Sequence, residues 1–311
     1  MKKLYFTLLL CGCFAFAINA QEITRYYLNN NTPTQSRDSA TYYIKFNQAE
    51  NGFFNFERFC MNHQLKEKGT VQNIATLIKE GEITTFYSNG NKKDVISYSA
   101  GLPNGIQTHY FSNGKINYKI VNNSAGYGYT LKKESNTKYL FCANEKDEIT
   151  LQDGNGYFTA YDDHLKITQE GNVKNTAADG LWKGFENGAL MFAEVYKSGN
   201  LIKGENYASD GNVYTYQQRN KRPEPKGGMT NFYNYIAASM QNTDLNNTKI
   251  MLKFTVDVTG HLQNIEVVNS SNKIINSLAI NVIKNAPKWN PALDQGKPVQ
   301  AAYFMPISIQ Y

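Results

Sequence analysis

The feature that most restricts the fold is a short unit that keeps returning: an aromatic residue, a few polar residues, then a glycine. Phe86-Tyr-Ser-Asn-Gly90 recurs as Tyr110-Phe-Ser-Asn-Gly114, 24 residues later, with Tyr98-Ser-Ala-Gly101 and Asn104-Gly105 between them. The same grammar returns in Phe185-Glu-Asn-Gly188, Tyr196-Lys-Ser-Gly199, Lys203-Gly204 and Tyr207-Ala-Ser-Asp-Gly211, and Gly154-Asn-Gly-Tyr157 and Gly180-Leu-Trp-Lys-Gly184 extend it. Asn-Gly and Asp-Gly supply the positive φ angles of hairpin turns. The five to seven residues between turns suit short strands. The pattern therefore predicts an all-β antiparallel meander over residues 80–220, with the period broken between 120 and 150. Residues 21–79 lack the period. Tyr42-Tyr-Ile-Lys-Phe46 and Phe53-Phe-Asn-Phe56 still read as strands there, so an irregular β-rich cap is expected.

These units resemble MORN repeats, over roughly residues 80–120 and 154–216. The plain account of such a sheet is that the aromatics pack along it and the glycines turn the chain. The functional account makes it a platform for a partner or a cell-wall polymer, since extended sheets offer docking surfaces.

The chain changes character at Arg222-Pro-Glu-Pro-Lys-Gly-Gly228, where two prolines and two glycines predict a poorly structured linker over 221–228. Beyond it, Thr230 can cap a helix that places Phe232, Tyr235, Ile236 and Met240 on one side. Ile250, Leu252, Phe254 and Val256 alternate as a half-buried strand, Val258-Thr-Gly-His261 turns, and Ile265 and Val267 return. Ser270, Ser271 and Asn272 offer caps for a second helix with Ile275, Leu278, Ala279, Val282 and Ala286 in one stripe, stopped by Pro287. Ala301, Tyr303, Met305, Ile307 and Ile309 alternate in a last strand. Residues 229–311 thus read as an α+β domain with two helices against a small antiparallel sheet.

Residues 226–311 resemble the TonB C-terminal domain. The resemblance is carried by Gly227-Gly228, Phe254-Thr-Val-Asp-Val-Thr-Gly260, Pro287-Lys-Trp-Asn-Pro-Ala292, Gly296-Lys-Pro-Val299 and Tyr303-Phe-Met-Pro-Ile307. Trp289, Pro291, Gly296, Pro298 and Val299 are its motif residues. The resemblance implies binding of an outer-membrane transporter segment, or another envelope protein, by strand addition at Ala301, Tyr303, Met305, Ile307 and Ile309. Pro306 marks that strand as an edge, because proline cannot donate to a central ladder. Two alternatives stand beside this: the strand only completes its own sheet, or it pairs with a second copy as a homodimer. Trp289 reads as core. Asn242-Thr-Asp-Leu-Asn-Asn247 stands where the family carries a Pro-x-x-Ala element, and Asn276 where it carries an acid. A transducer of this family also has an inner-membrane anchor and a proline-rich spacer, for which eight prolines in 311 residues are too few.

The start of the chain explains where such a protein would work. Met1-Lys-Lys3, an apolar run from Leu4 to Ile18 and Ala-Ile-Asn-Ala at 17–20 form a secretory signal peptide, with cleavage expected after Ala20. Lipidation at Cys13 and an uncleaved anchor are the alternatives. Export predicts a periplasmic location, or the periplasmic face of the outer membrane. The mature chain would hold 30 basic against 26 acidic residues, a net charge of +4 with no basic block, which gives nucleic-acid binding no support. Cys60 and Cys142 remain, either paired or as two small packing groups. His63, His109, His164 and His261 are scattered, and no metal, nucleophile or phosphate-loop motif is present, so no enzyme, cofactor or small-molecule substrate is expected. Asp162-Asp163-His164 reads as a solvated turn.

Overall fold

The computed structural model describes residues 22–49, 51–122, 137–240, 248–271 and 273–309. The expected signal peptide with Cys13, and the Asn242–Asn247 stretch, lie outside the described residues. The chain divides into two compact units: residues up to Lys92 with Ser97–Gly101, and Lys93–Ile96 with everything from Leu102 onward. Seventeen strands share one antiparallel sheet.

In the first unit, β1 (Ile23–Tyr27) pairs with both β2 (Pro33–Thr34) and β3 (Tyr42–Gln48). From β3 the chain runs in adjacent hairpins through β4 (Phe54–Cys60), β5 (Leu65–Val71) and β6 (Lys79–Phe86). The expected irregular cap is therefore a regular meander, built on alternation alone. Tyr27, Ile44, Phe46, Phe56, Val71 and Ile83 form its core. Glu67 is buried in the sheet beside Arg58, at 3.4 Å, and Lys79.

β7 (Lys92–Ser99) spans the division between the units. In the second unit β8 (Leu102–Tyr110), β9 (Ile116–Val121), β10 (Lys138–Ala143), β11 (Ile149–Gln152) and β12 (Asn155–Tyr161) pair in sequence. The order continues through β13 (Ile167–Lys174), β14 (Ala177–Glu186), β15 (Ala189–Lys197), β16 (Asn200–Tyr207) and β17 (Val213–Tyr216).

Two turn designs join these strands, where the sequence suggested one. Asp153-Gly154, Asn187-Gly188 and Ser198-Gly199 are two-residue turns with both φ angles positive. The loops Phe111–Lys115, Asp162–Lys166 and Ala208–Asn212 instead span five residues. Their first N–H donates to the fifth carbonyl, and the fourth N–H donates back to the first carbonyl. Only the fourth residue is left-handed there: Gly114 at 84°, Leu165 at 60°, Gly211 at 81°. Asn113-Gly114 and Asp210-Gly211 thus look like the first design in sequence but build the second.

Other glycines do not turn the chain at all. Gly171 faces Trp182, Gly184 faces Phe192, and Gly204 faces Tyr216 across neighbouring strands. A Cβ on these glycines would stand 2.3 Å from the Trp182 ring, 2.0 Å from Phe192 and 2.3 Å from Tyr216. Each aromatic ring therefore occupies the space that a Cβ would take on the preceding strand. One row across the sheet reads Phe158, Gly171, Trp182, Glu194, Gly204, Tyr216. Trp182 is buried within it, contacts Phe158, Tyr139 and Tyr196, and donates its Nε1–H to the Asn172 carbonyl at 2.8 Å. Cys142 is buried in the same core and Cys60 is half-buried; both are free thiols.

The C-terminal part begins with β18 (Asn220–Lys221), β19 (Glu224–Pro225) and α1 (Gly228–Ser239), followed by β20 (Thr248–Val256) and β21 (Leu262–Ser270). Then come α2 (Asn276–Lys284), β22 (Trp289–Asn290), β23 (Ala292–Asp294), β24 (Lys297–Val299) and β25 (Ala301–Ile309). The expected alternation is present: Ile250, Leu252, Phe254 and Val256 are buried, with Met305, Ile307, Phe232, Ile236, Ala279, Val282 and Ile283 completing the core. Three expectations need correction. The linker is not poorly structured, because Asn220 and Lys221 pair with Asp294 and Leu293, and Glu224 and Pro225 pair with Asn290 and Trp289. α1 begins two residues before Thr230, since left-handed Gly227 (φ 87°) turns the chain into it and Asn231 Nδ2 donates to the Gly227 carbonyl at 2.8 Å. Ser270 ends β21 and Ser271 bonds Lys249, so neither caps α2, which follows a turn of 3₁₀ helix at Lys273–Ile275.

Gly204→Ala should destabilise the protein by about 1–3 kcal/mol, the usual cost of overpacking a rigid site. The cost should shrink in the Gly204→Ala/Tyr216→Leu double variant, because removing the ring empties the contested space. Denaturant unfolding of the four proteins of this cycle measures the coupling; additive costs would contradict the packing.

Candidate partner-binding edge

The three-stranded C-terminal sheet has the order β21-β20-β25, so β25 pairs on one side with β20. Nine residue pairs run without a register shift from Val256–Ala301 to Thr248–Ile309. Pro306 lies opposite Met251 inside this ladder. Proline has no N–H, so the ladder stays whole when its nitrogen points away from β20. Backbone groups alternate direction along an antiparallel strand. By that parity Ala302, Phe304, Pro306 and Ser308 direct their backbone outward, while Ala301, Tyr303, Met305 and Ile307 bond β20. The outer edge then offers carbonyls at all four positions but no N–H at Pro306.

Side chains follow the same division. Met305 and Ile307 are buried, Ala301 and Tyr303 are half-buried, and Ile309 closes the strand opposite Thr248. Tyr303 stacks on Phe254 at 5.6 Å and meets Trp289 edge-on at 4.9 Å. The residues that sequence alternation singles out therefore hold the strand down. Ala302, Phe304, Pro306 and Ser308 are the exposed ones. Reading the opposite parity, with Pro306 as the marker, would have found them.

The motif residues lie elsewhere. Trp289 is fully buried, with edge contacts to Phe232 at 5.1 Å and Phe254 at 5.3 Å. Its Nε1–H has no acceptor among the described residues, a cost of roughly 1–3 kcal/mol that its packing must exceed. Pro291 is half-buried between β22 and β23. Gly296 forms the β23–β24 turn with Gln295, while Pro298 and Val299 pair with Leu293 and Ala292. None of these joins the β25 edge; they build the hairpin and core behind it.

Trp289 is fixed by the turn that sequence placed at 258–261. Asp257–His261 is a five-residue loop with Gly260 left-handed at 86°. Trp289 N donates to the Gly260 carbonyl at 2.8 Å, and a Cβ on Gly260 would stand 1.9 Å from the Trp289 carbonyl oxygen. Burial works to raise the Asp257 carboxyl. The N–H groups of His261 and Thr259 and the Thr259 hydroxyl outweigh it and hold the acid below its ordinary range.

The histidines serve local structure. His63 Nδ1 bonds the Tyr43 hydroxyl at 2.7 Å, His109 Nδ1 bonds Asp94 at 2.6 Å, and His261 Nδ1 bonds Thr259 at 2.7 Å. The His164 N–H donates to Asp162, whose carboxylate also accepts from Lys166 N–H, so the Asp162-Asp163-His164 trio is a turn. Among the described residues no group of three or more His, Cys, Asp or Glu could hold a metal ion. No helix among them is long and apolar enough to cross a membrane.

Gly260→Ala should cost more stability than Gly211→Ala by about 1 kcal/mol or more. The two glycines share a loop position and a φ angle, but Gly211 faces open space and Gly260 faces the Trp289 backbone. Thermal unfolding of both variants checks this; equal costs would remove the role given to the Trp289 contact.

No curated protein matches the chain. Residues 246–310 match the family model described as Gram-negative bacterial TonB protein C-terminal, a family that is non-catalytic. The chain thus carries a TonB C-terminal domain at residues 246–310, behind a long antiparallel β-meander.

Proposed function

We propose that this is an exported, non-catalytic interaction protein of the cell envelope, which contacts outer-membrane transport proteins by strand addition along β25. The observation that carries the reading is an exposed outer edge on the last strand of a TonB C-terminal domain. An extended segment laid there would exchange backbone hydrogen bonds with Ala302, Phe304 and Ser308, and only carbonyl contacts at Pro306. The missing donor weakens pairing with an arbitrary strand, as edge prolines do. Exposed Phe304 on β25 would meet the guest's side chains.

The test is capture of peptides from the N-termini of outer-membrane transporters by the mature chain. Ala302→Pro removes an outward donor while leaving the β20 ladder in place. The reading predicts capture by the wild-type chain and a loss of at least about tenfold in Ala302→Pro, roughly one to two backbone hydrogen bonds. No capture, or capture indifferent to this substitution, would contradict it. Partner binding that follows β12–β17 instead would favour a repeat adaptor, and concentration-dependent pairing of the chain with itself would favour a homodimer.

A further inference from the structure

The row of apolar and glycine residues across β12–β17 is interrupted by one charge. Glu194 on β15 is fully buried. Its carboxylate accepts from the Arg219 Nε at 2.7 Å and from the Arg219 Nη2, from the Tyr216 hydroxyl at 2.7 Å and from the Tyr196 hydroxyl at 2.9 Å. Arg219 lies over the Phe192 ring at 5.3 Å and keeps about a third of its side chain in water. Burial keeps the Tyr216 hydroxyl protonated well above its ordinary range, and Glu194 adds to that, so this phenol remains a donor.

The cluster reaches across to the C-terminal domain at one point, the tip of the β23–β24 hairpin. Gln295 Nε2 donates to the Tyr216 hydroxyl oxygen at 3.2 Å, and the Gln295 N–H donates to the Arg219 carbonyl. Asn206 Nδ2 donates to the Gln295 carbonyl at 3.4 Å, and Gly296 packs so closely that a Cβ there would stand 2.7 Å from the Thr215 carbonyl oxygen. Lys297 adds an ion pair to Asp210 at 3.4 Å. β18 continues from Arg219 directly into pairing with β23.

A buried ion pair adds little net stability compared with apolar packing, while removing one partner strands the other. Its value here lies in direction. The carboxylate fixes Arg219 and Tyr216, and these present a carbonyl and a hydroxyl at the spacing one glutamine needs. We propose that Glu194, Arg219, Tyr216 and Gln295 form a latch that clamps the TonB C-terminal domain to the last strands of the meander, so that the proline-containing connection is a closed joint rather than a tether. The contact is small, polar and partly solvated, as docking surfaces between domains of one chain are. It can open without unfolding either apolar core. This holds whatever the β25 edge binds.

Hydrogen exchange on the full mature chain, read by mass spectrometry, tests the latch with two variants, Glu194→Gln in the sheet and Gln295→Ala in the hairpin. Glu194→Gln, which removes charge-assisted hydrogen bonding to Arg219, should speed exchange over 220–225 and 292–299 by about tenfold or more, and Gln295→Ala, which removes a neutral hydrogen bond to Tyr216, by about two- to tenfold. Both should also expose the Arg219–Lys226 connection to trypsin. Protection of 250–256 and 301–307, and of 156–173, should stay at wild-type levels. Unchanged exchange over 220–225 and 292–299 in both variants would overturn the proposal. So would loss of protection throughout the meander and the C-terminal core in Gln295→Ala, since the cluster would then be ordinary core.

Discussion

The rest of the meander depends on a steric relation between neighbouring strands: a large ring on one needs a missing side chain on the other. Trp182 covers Gly171, Phe192 covers Gly184 and Tyr216 covers Gly204. Burying an aromatic ring where a side chain is missing gains its large apolar area without a clash. The sheet can thus keep a core on a row of strands against which no helix among the described residues makes an extensive contact. The same relation fixes register, because sliding one strand by one residue would put a ring over a Cβ. Glycine in a strand usually weakens it; here the covering ring offsets the entropic cost.

Glu194 occupies a position in this row that apolar residues fill on other strands, and its consequences run outward from there. It holds Arg219 and Tyr216, which hold the hairpin tip, and β18 and β19 then lead the chain into α1. The C-terminal domain has its own organising contact, the meeting of Trp289 with Gly260. Trp289 also pairs with Pro225 through β22 and β19 and packs under Tyr303 of β25. One buried residue therefore ties the entering strand, the turn and the edge strand together. That explains why the family motif sits behind the edge and not on it.

Much of the fold was legible in sequence because its signals are local. Alternation along 250–256 and 301–309 and the apolar stripe of α2 each reflect one face meeting one core. Turn glycines were legible as well, although Asn113-Gly114 and Asn187-Gly188 build different loops from the same dipeptide, a choice set by strand register. What could not be read was anything depending on pairs far apart in the chain. Gly171 and Trp182 are separated by eleven residues, the repeat period itself, yet nothing local distinguishes a glycine under a ring from one in a turn. Arg219 and Gln295 look like ordinary surface polar residues, and Pro223 and Pro225 look like linker punctuation, until β22 and β23 come to pair there. At the edge itself the alternation was legible, and the apolar residues it picks out face the core, while Ala302, Phe304, Pro306 and Ser308 are the exposed ones.

The central claim is that the outward backbone of β25 is the recognition surface. Amide chemical shifts of the isotope-labelled mature chain, followed as a transporter N-terminal peptide is added, test it most directly. The account predicts the largest shifts at Ala302, Phe304 and Ser308, with protection of those amides from solvent exchange. Shifts confined to β21 or to the strands of the meander, with the β25 amides unmoved, would contradict it.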